Sequence, residues 1–188
     1  MKLRATSVAV LSASALALLL AGDTGKPVGQ QVAPVALRPA WNEVKWPFPL
    51  DQWGLGRAFT CPAADCGGRI DLYLRPKLGF CNCATGVSDD AELDRVGDLE
   101  LLSPAFRSLN DGQPVAVGWM SGRSRPYEVA MRYGAPRTVL AIAFNDKCDV
   151  VVATVVAERS RIDEAQRMAV AFLNNDSVLR WVEKELGL

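Results

Sequence analysis

The cysteines are the residues with the clearest potential for chemistry. Four of the five lie between positions 61 and 83: four residues separate Cys61 from Cys66, and one residue separates Cys81 from Cys83. Cys148 stands alone, much later in the chain. Thiols grouped in this way can form structural disulfides, hold a soft metal ion or exchange disulfides with other thiols.

Structural disulfides are the favoured interpretation, because the chain carries features of an exported protein and exported cysteines normally pair. A predicted strand at 69–75 separates the two pairs, so Cys61 or Cys66 would reach Cys81 or Cys83 only if the chain folds back as a hairpin. A link to Cys148 is also open. We expect Cys148 itself to be a free, buried thiol in an apolar strand.

Two alternatives use the same cysteines. The first is a zinc or copper site formed by the thiolates of Cys61, Cys66, Cys81 and Cys83, although C-x4-C and C-x-C are less diagnostic than repeated C-x-x-C. The second is thiol–disulfide exchange at Cys81 and Cys83, where Arg75 and Lys77 would lower a thiol pKa. No other cofactor is predicted.

The complete absence of histidine excludes large classes of enzyme. Ser-His-Asp and Cys-His nucleophiles, H-E-x-x-H zinc proteases and C-x-x-C-H haem attachment all require an imidazole. No G-x-x-x-x-G-K-[ST] phosphate loop is present. The acidic segment 88–100 lacks the spacing of a calcium loop and is better explained as a solvated helix face. The sequence thus favours a protein that is not an enzyme.

Aromatic and basic residues supply candidate ligand-binding positions. Trp46 and Trp53 lie in a proline-rich stretch that is expected to pack on the domain or, alternatively, to bind a partner or glycan. Arg123 and Arg125 fall in S-G-R-S-R-P, which is predicted to be a turn between two strands, where they would bind an anion.

The first 22 residues resemble a secretory signal peptide. Lys2 and Arg4 precede a run at 8–21 of small and apolar residues, shorter than the ~20 residues that cross a bilayer. A proline- and glycine-containing linker is predicted at 23–40 and a single domain at 41–188. We expect a periplasmic or secreted protein with the signal cleaved, or retained as an anchor, and no membrane insertion of the mature domain.

Hydrophobic periodicity predicts the elements that hold these residues. Alternation or apolar runs indicate strands at 69–75, 114–120, 127–133, 138–144 and 148–157. An N-capped acidic helix is predicted from Ser88 or Asp89, and two amphipathic helices follow Ser160. The expected fold is α+β: an antiparallel sheet of about five strands with the C-terminal helices on one face and a cysteine-braced N-terminal region.

Charge indicates no nucleic-acid partner. Beyond the predicted signal peptide, 19 basic and 21 acidic residues remain, without a clustered basic footprint. The predicted function is therefore non-catalytic binding or assembly in the bacterial cell envelope, with an envelope protein or a small ligand as partner. The alternative is a periplasmic metal-binding or redox protein that uses the clustered cysteines.

Overall fold

A computed structural model describes residues 40–131 and 134–188 of the chain. The predicted signal peptide, and all of the predicted linker except Ala40, lie outside these residues. Within the described residues, no helix combines the length and the apolar character needed to cross a membrane.

The fold is a mixed α+β structure built on one antiparallel sheet of eight strands. Along the sheet the strands follow the order β1-β2-β3-β8-β7-β6-β4, and β5 also pairs with β6. The strands are β1 (Asn42–Val44), β2 (Arg57–Cys61), β3 (Ile70–Lys77), β4 (Phe106–Ser108), β5 (Gln113–Val117), β6 (Met120–Val129), β7 (Arg137–Asp146) and β8 (Asp149–Ala157).

Helices cover both faces of this sheet. The short helix α1 (Ala63–Cys66) follows β2, and α2 (Asp90–Val96) lies on one face. On the opposite face lie α3 (Ile162–Leu173) and α4 (Asp176–Leu186), which bury the predicted apolar stripes. Their burial there confirms the expected position of the C-terminal helices. Short 3-10 turns occupy Leu99–Leu101 and Arg159–Arg161.

Alternation along the strands divides the core into two clusters. Leu140, Ile142 and Phe144 of β7 face α3 and α4, whereas Ala141 and Ala143 face the α2 side. Neighbouring β8 behaves in the same way, so both central strands are apolar on both faces, as the sequence predicts. The turn between them closes the expected antiparallel hairpin.

The predicted count of about five strands is too low because β1, β2 and β4 were not predicted. β1 and β4 have three exposed residues each, too few to show an alternating pattern, and the five residues of β2 do not alternate strictly. The strand predicted at 114–120 ends at Val117, where the chain turns at Gly118 (φ +58°) into β6, and the strand predicted at 127–133 is the end of β6 at Val129. Trp119 therefore lies at an exposed hairpin tip rather than on the inward face.

The predicted turn around Arg123 and Arg125 is also wrong. Both residues belong to β6, which continues from Met120 to Val129 and pairs with β7 along almost its whole length. Glycine, serine and proline indicate a turn by composition. Here the pairing of β6 with strands on both sides satisfies its backbone and overrides that local preference.

Candidate functional site

The cysteines form two disulfides and one free thiol. Cys61 pairs with Cys66, closing the turn from β2 into α1. Cys83 pairs with Cys148, joining the segment after β3 to the turn between β7 and β8. The thiol of Cys81 is free and buried.

This pairing corrects the sequence-based picture in two respects. The two cysteine pairs lie at opposite ends of β3, about 23 Å apart for an eight-residue strand, so neither Cys61 nor Cys66 reaches Cys81 or Cys83. The expectation that Cys148 is free is wrong. The free thiol is instead Cys81, whose backbone amide donates to the carbonyl of Cys148, and the exposed Cys83 forms the disulfide.

Neither basic residue of β3 activates a cysteine. Arg75 and Lys77 point toward Asp98, away from the sulfur atoms. Burial raises the pKa of the Cys81 thiol, and the charges of Glu92 and Asp149 raise it further. The expected lowering of a thiol pKa is therefore not found at Cys81.

Arg123 and Arg125 form ion pairs with acids of this chain. Arg123 pairs with Asp90, and Arg125 contacts Asp94 at 3.2 Å. Both acids lie on α2, so the two arginines hold that helix onto the sheet. The anion site predicted at these residues has its charges already neutralised by α2.

Trp46 and Trp53 have different environments. Trp46 packs edge-on against Phe48 and Tyr73, with ring centroids 5.3 and 6.1 Å away, which is the packing role expected of the N-terminal segment. Trp53 instead lies 4.4 Å from the ring of Phe80 at the wall of a cleft.

This cleft has a volume of about 560 Å³ and is the candidate functional site. The turn at residues 51–54 forms one side, and the end of α2 with the 3-10 turn Leu99–Leu101 forms the other. Trp53, Phe80 and Phe106 supply aromatic surface to it. The polar side chains that line it are Asp51, Gln52, Arg75, Lys77, Asp94, Arg95, Asp98 and Glu100.

A buried charge network forms the floor of the cleft. The Arg75 guanidinium donates two hydrogen bonds to the Asp98 carboxylate, at 2.6 and 2.7 Å, and Nη1 of Arg75 binds Asp51. Lys77 Nζ lies 2.7 Å from Oδ1 of Asp98, the oxygen that also accepts from Nη2 of Arg75, and donates to the Val96 carbonyl. Because that carbonyl is at the C-terminus of α2, Lys77 caps the helix where its dipole favours a cation.

Burial and pairing act in opposite directions on these groups. Burial lowers the pKa of Lys77, and Asp98 opposes that change only in part. For Arg75, burial also favours the neutral form, but the hydrogen bonds it donates to Asp98 and Asp51, together with their negative charges, outweigh it and raise the pKa. Burial would raise the pKa of Asp51, yet hydrogen bonds from Arg75 and from the Trp53 amide lower it overall.

The cleft therefore offers aromatic surface above fixed, internally paired charges. The rings of Trp53 and Phe80 also lie 5.6 and 5.3 Å from Lys77 Nζ. Such a surface suits recognition of a molecule with apolar and polar parts. Within residues 40–131 and 134–188, no three Cys, Asp or Glu side chains are grouped so that they would hold a metal ion.

The sequence analysis names Trp53 as a candidate ligand-binding residue and names Arg75 and Lys77 only as bases near the cysteines. Arg75 lies on the polar side of the strand predicted at 69–75, Lys77 lies beyond that predicted strand, and no motif includes Asp98. The pairing of β3 with the doubly apolar β8, which buries these charges, is visible only in the structure. Nothing local identifies Asp98 as their partner.

Comparisons with known proteins show no family for this chain. No protein-family model matches the chain. No curated protein matches it either. Among solved structures, it is similar to LpqN, described as involved in cell envelope biogenesis of Mycobacterium tuberculosis, at 15% identity and a TM-score of 0.35. That similarity covers 70% of this chain and 79% of the LpqN chain.

Proposed function

We propose that this protein is a non-catalytic binding or assembly protein of the cell envelope and that the cleft beside Trp53 is its binding site. The observation that carries the proposal is the cleft of about 560 Å³, which has aromatic walls over a fixed charge network. Arg75 and Lys77 are paired with Asp51 and Asp98 within the cleft, which leaves the aromatic surface for a ligand or partner.

Two disulfides support the envelope location. Disulfides form and persist in oxidising compartments such as the periplasm and the extracellular space, and are rare in the cytosol. The signal-peptide pattern at residues 1–22 points in the same direction. Both features belong to a protein that works after export.

The test is recovery of a bound molecule from the native envelope. Wild-type protein is compared with Trp53→Ala, which removes one wall, and with Leu101→Trp, which fills the cleft. Trp119→Ala is the matched control, because Trp119 is 51% exposed and lies outside the cleft. Each protein is purified without denaturation and examined by native mass spectrometry.

We expect an envelope-derived species to accompany wild type and the Trp119 variant and to be lost from both cleft variants. Equal recovery from all four proteins would contradict the assignment of the cleft. If none of the four proteins carries a bound species, even after chemical cross-linking in the intact envelope, the binding function is contradicted.

Zinc or copper binding remains the alternative proposal. It requires a reduced protein, because three of the four proposed ligands, Cys61, Cys66 and Cys83, are in disulfides. Metal analysis of protein purified from its native compartment, combined with alkylation of free thiols, separates the two functions. One free thiol without stoichiometric metal supports the binding protein, and metal-protected thiols support the alternative.

A further inference from the structure

Three cysteines meet at one end of the sheet, and only two of them are bonded. Cys83 and Cys148 form the disulfide, and Cys81 is the free thiol. The backbone amide of Cys81 donates to the carbonyl of Cys148 at 3.1 Å. The thiol of Cys81 donates to the carbonyl of Lys147, the neighbour of Cys148, at 3.2 Å.

These contacts place Cys81 within bonding range of the same partner that Cys83 uses. The amide nitrogen of Cys81 lies 3.1 Å from the carbonyl oxygen of Cys148, and a backbone hydrogen bond of this length holds the two Cα atoms about 6 Å or less apart, the separation that a disulfide spans. Only Asn82 lies between the two candidate partners, and its side chain accepts from the amides of Ala84 and Thr85, so the segment turns sharply here.

We propose that Cys81, Cys83 and Cys148 form a thiol–disulfide exchange centre in which Cys148 bonds alternately to Cys83 and to Cys81. The thiolate of Cys81 attacks Sγ of Cys148, so that the Cys81–Cys148 bond forms and the Cys83–Cys148 bond breaks. Cys83 leaves with the electron pair and takes up one proton, in place of the proton that Cys81 lost. The step needs no oxidant or reductant.

The exchange moves the free thiol from the core to the surface. Cys81 is buried and Cys83 is exposed, so only the exchanged form presents a thiol that can reach the disulfide of another molecule. The raised pKa of the Cys81 thiol keeps its thiolate population small at neutral pH, which slows the attack on Cys148. Glu92 and Asp149 contribute to that rise and Arg95 opposes it.

The same segment borders the candidate cleft. The amide of Asn82 donates to Glu92 of α2, and Arg95 of α2 donates to the carbonyl of Phe80. Phe80 lines the cleft. When Cys148 changes its disulfide partner from Cys83 to Cys81, the bond therefore moves along a segment that contacts both α2 and the cleft wall.

The decisive variant is Cys83→Ser in the exported full-length protein. The protein is unfolded without reduction and alkylated with N-ethylmaleimide, and its intact mass gives the number of free thiols. We expect none, because Cys81 takes over the bond to Cys148, whereas wild type shows one. Two free thiols in Cys83→Ser would overturn the proposal, and Cys81→Ser, with none expected, is the matched control.

Two further measurements test the proposal in case Cys83→Ser does not fold. Wild type is held folded in dilute reduced glutathione, quenched with acid and digested without reduction, and its cross-linked peptides are mapped. Both the Cys83–Cys148 and the Cys81–Cys148 linkages are expected, and detection of the first alone would overturn the proposal. Cys83→Ser should also melt several degrees above Cys148→Ser, and equal melting temperatures would count against it.

These tests report sulfur connectivity alone. The exchange goes beyond ligand binding in the cleft and does not depend on it. A wild-type protein that exchanges its disulfide but carries no bound molecule would support the exchange centre and contradict the binding function. A wild-type protein that carries a bound molecule but does not exchange its disulfide would support the binding function and contradict the exchange centre.

Discussion

At the scale of single residues, Asp98 is the most constrained side chain of the site. It is 5% exposed and pairs with both Arg75 and Lys77, each 4% exposed. Charges removed from water in this way are tolerated only when each is paired and hydrogen-bonded. Asp98 therefore holds the end of α2 and β3 together through two cations at once.

Replacing Asp98 with asparagine should be strongly destabilising. The amide is nearly isosteric but leaves buried Lys77 without an ion-pair partner and Arg75 with Asp51 alone, for which a loss of about 3–5 kcal/mol in the free energy of unfolding is expected. Urea unfolding followed by circular dichroism measures it. Glu100→Gln, an exposed acid on the same cleft, is the control and should change stability by less than about 0.5 kcal/mol. Equal effects of the two substitutions would show that the network is not structural.

Which residues belong to the candidate site could be predicted only in part from the sequence. Trp53 was selected because an aromatic ring in a proline-rich segment must cover a core or meet a ligand, and it does line the cleft. Arg123 and Arg125 were assigned to an anion, yet their counter-charges come from α2, some 30 residues earlier in the chain. A charged side chain does not reveal whether its partner lies in the same protein.

At the scale of elements, α2 is positioned by acids rather than by apolar contact alone. Leu93 and Val96 are buried, but Asp90 also accepts from the Gly112 amide at 3.0 Å and pairs with Arg123 of β6. Gly112 is required at this point because a Cβ there would lie 2.2 Å from Oδ1 of Asp90. The N-terminus of the helix is capped by Asp89, as the sequence predicts.

The docking of α2 should weaken in acid. Hydrogen bonds from Gly112 and Arg123 lower the pKa of Asp90 below its ordinary value of 3.8. A lowered carboxyl pKa means that this stabilisation is complete above that ordinary value and is lost as the pH falls through the pKa of the folded state. Asp90→Asn should cost about 1–2 kcal/mol at pH 6 and progressively less below pH 4.

Urea denaturation at pH 6, 4 and 3 tests this pH dependence. Asp111→Asn is the matched control, because Asp111 is an exposed neighbour of Gly112. The free energy of unfolding of Asp111→Asn should differ from that of wild type by the same amount at all three pH values. A difference between wild type and Asp90→Asn that does not shrink in acid would contradict the assignment.

At the scale of the whole molecule, the two disulfides constrain the chain over very different lengths. Cys61–Cys66 closes a separation of five residues, and Cys83–Cys148 closes one of 65. The longer link ties the segment that carries Phe80 and Asn82 to the central β7–β8 hairpin. It is therefore the one that braces the cleft side of the domain.

Removing the long link should cost more than removing the short one. In the chain-entropy account the loss is about 4 kcal/mol for Cys148→Ser and about 2 kcal/mol for Cys66→Ser, because a longer closed loop restricts the unfolded chain more. Cys148 is the residue to replace, since no other cysteine of that group can then restore the bond to β8. Melting temperatures from calorimetry test the order, and a larger drop for Cys66→Ser would contradict it.

The sequence by itself determined the elements whose signals are local. The capped helix α2, the amphipathic α3 and α4 and the doubly apolar strands β7 and β8 follow from periodicity and capping, because burial on one face selects apolar residues at the period of the element. Only the tertiary structure decided which cysteines pair, where Arg123 and Arg125 find their acids and that Trp53 borders a cleft with a charged floor. Alternation sets the face on which a side chain lies, but the partner it meets there depends on how segments distant in the chain are brought together.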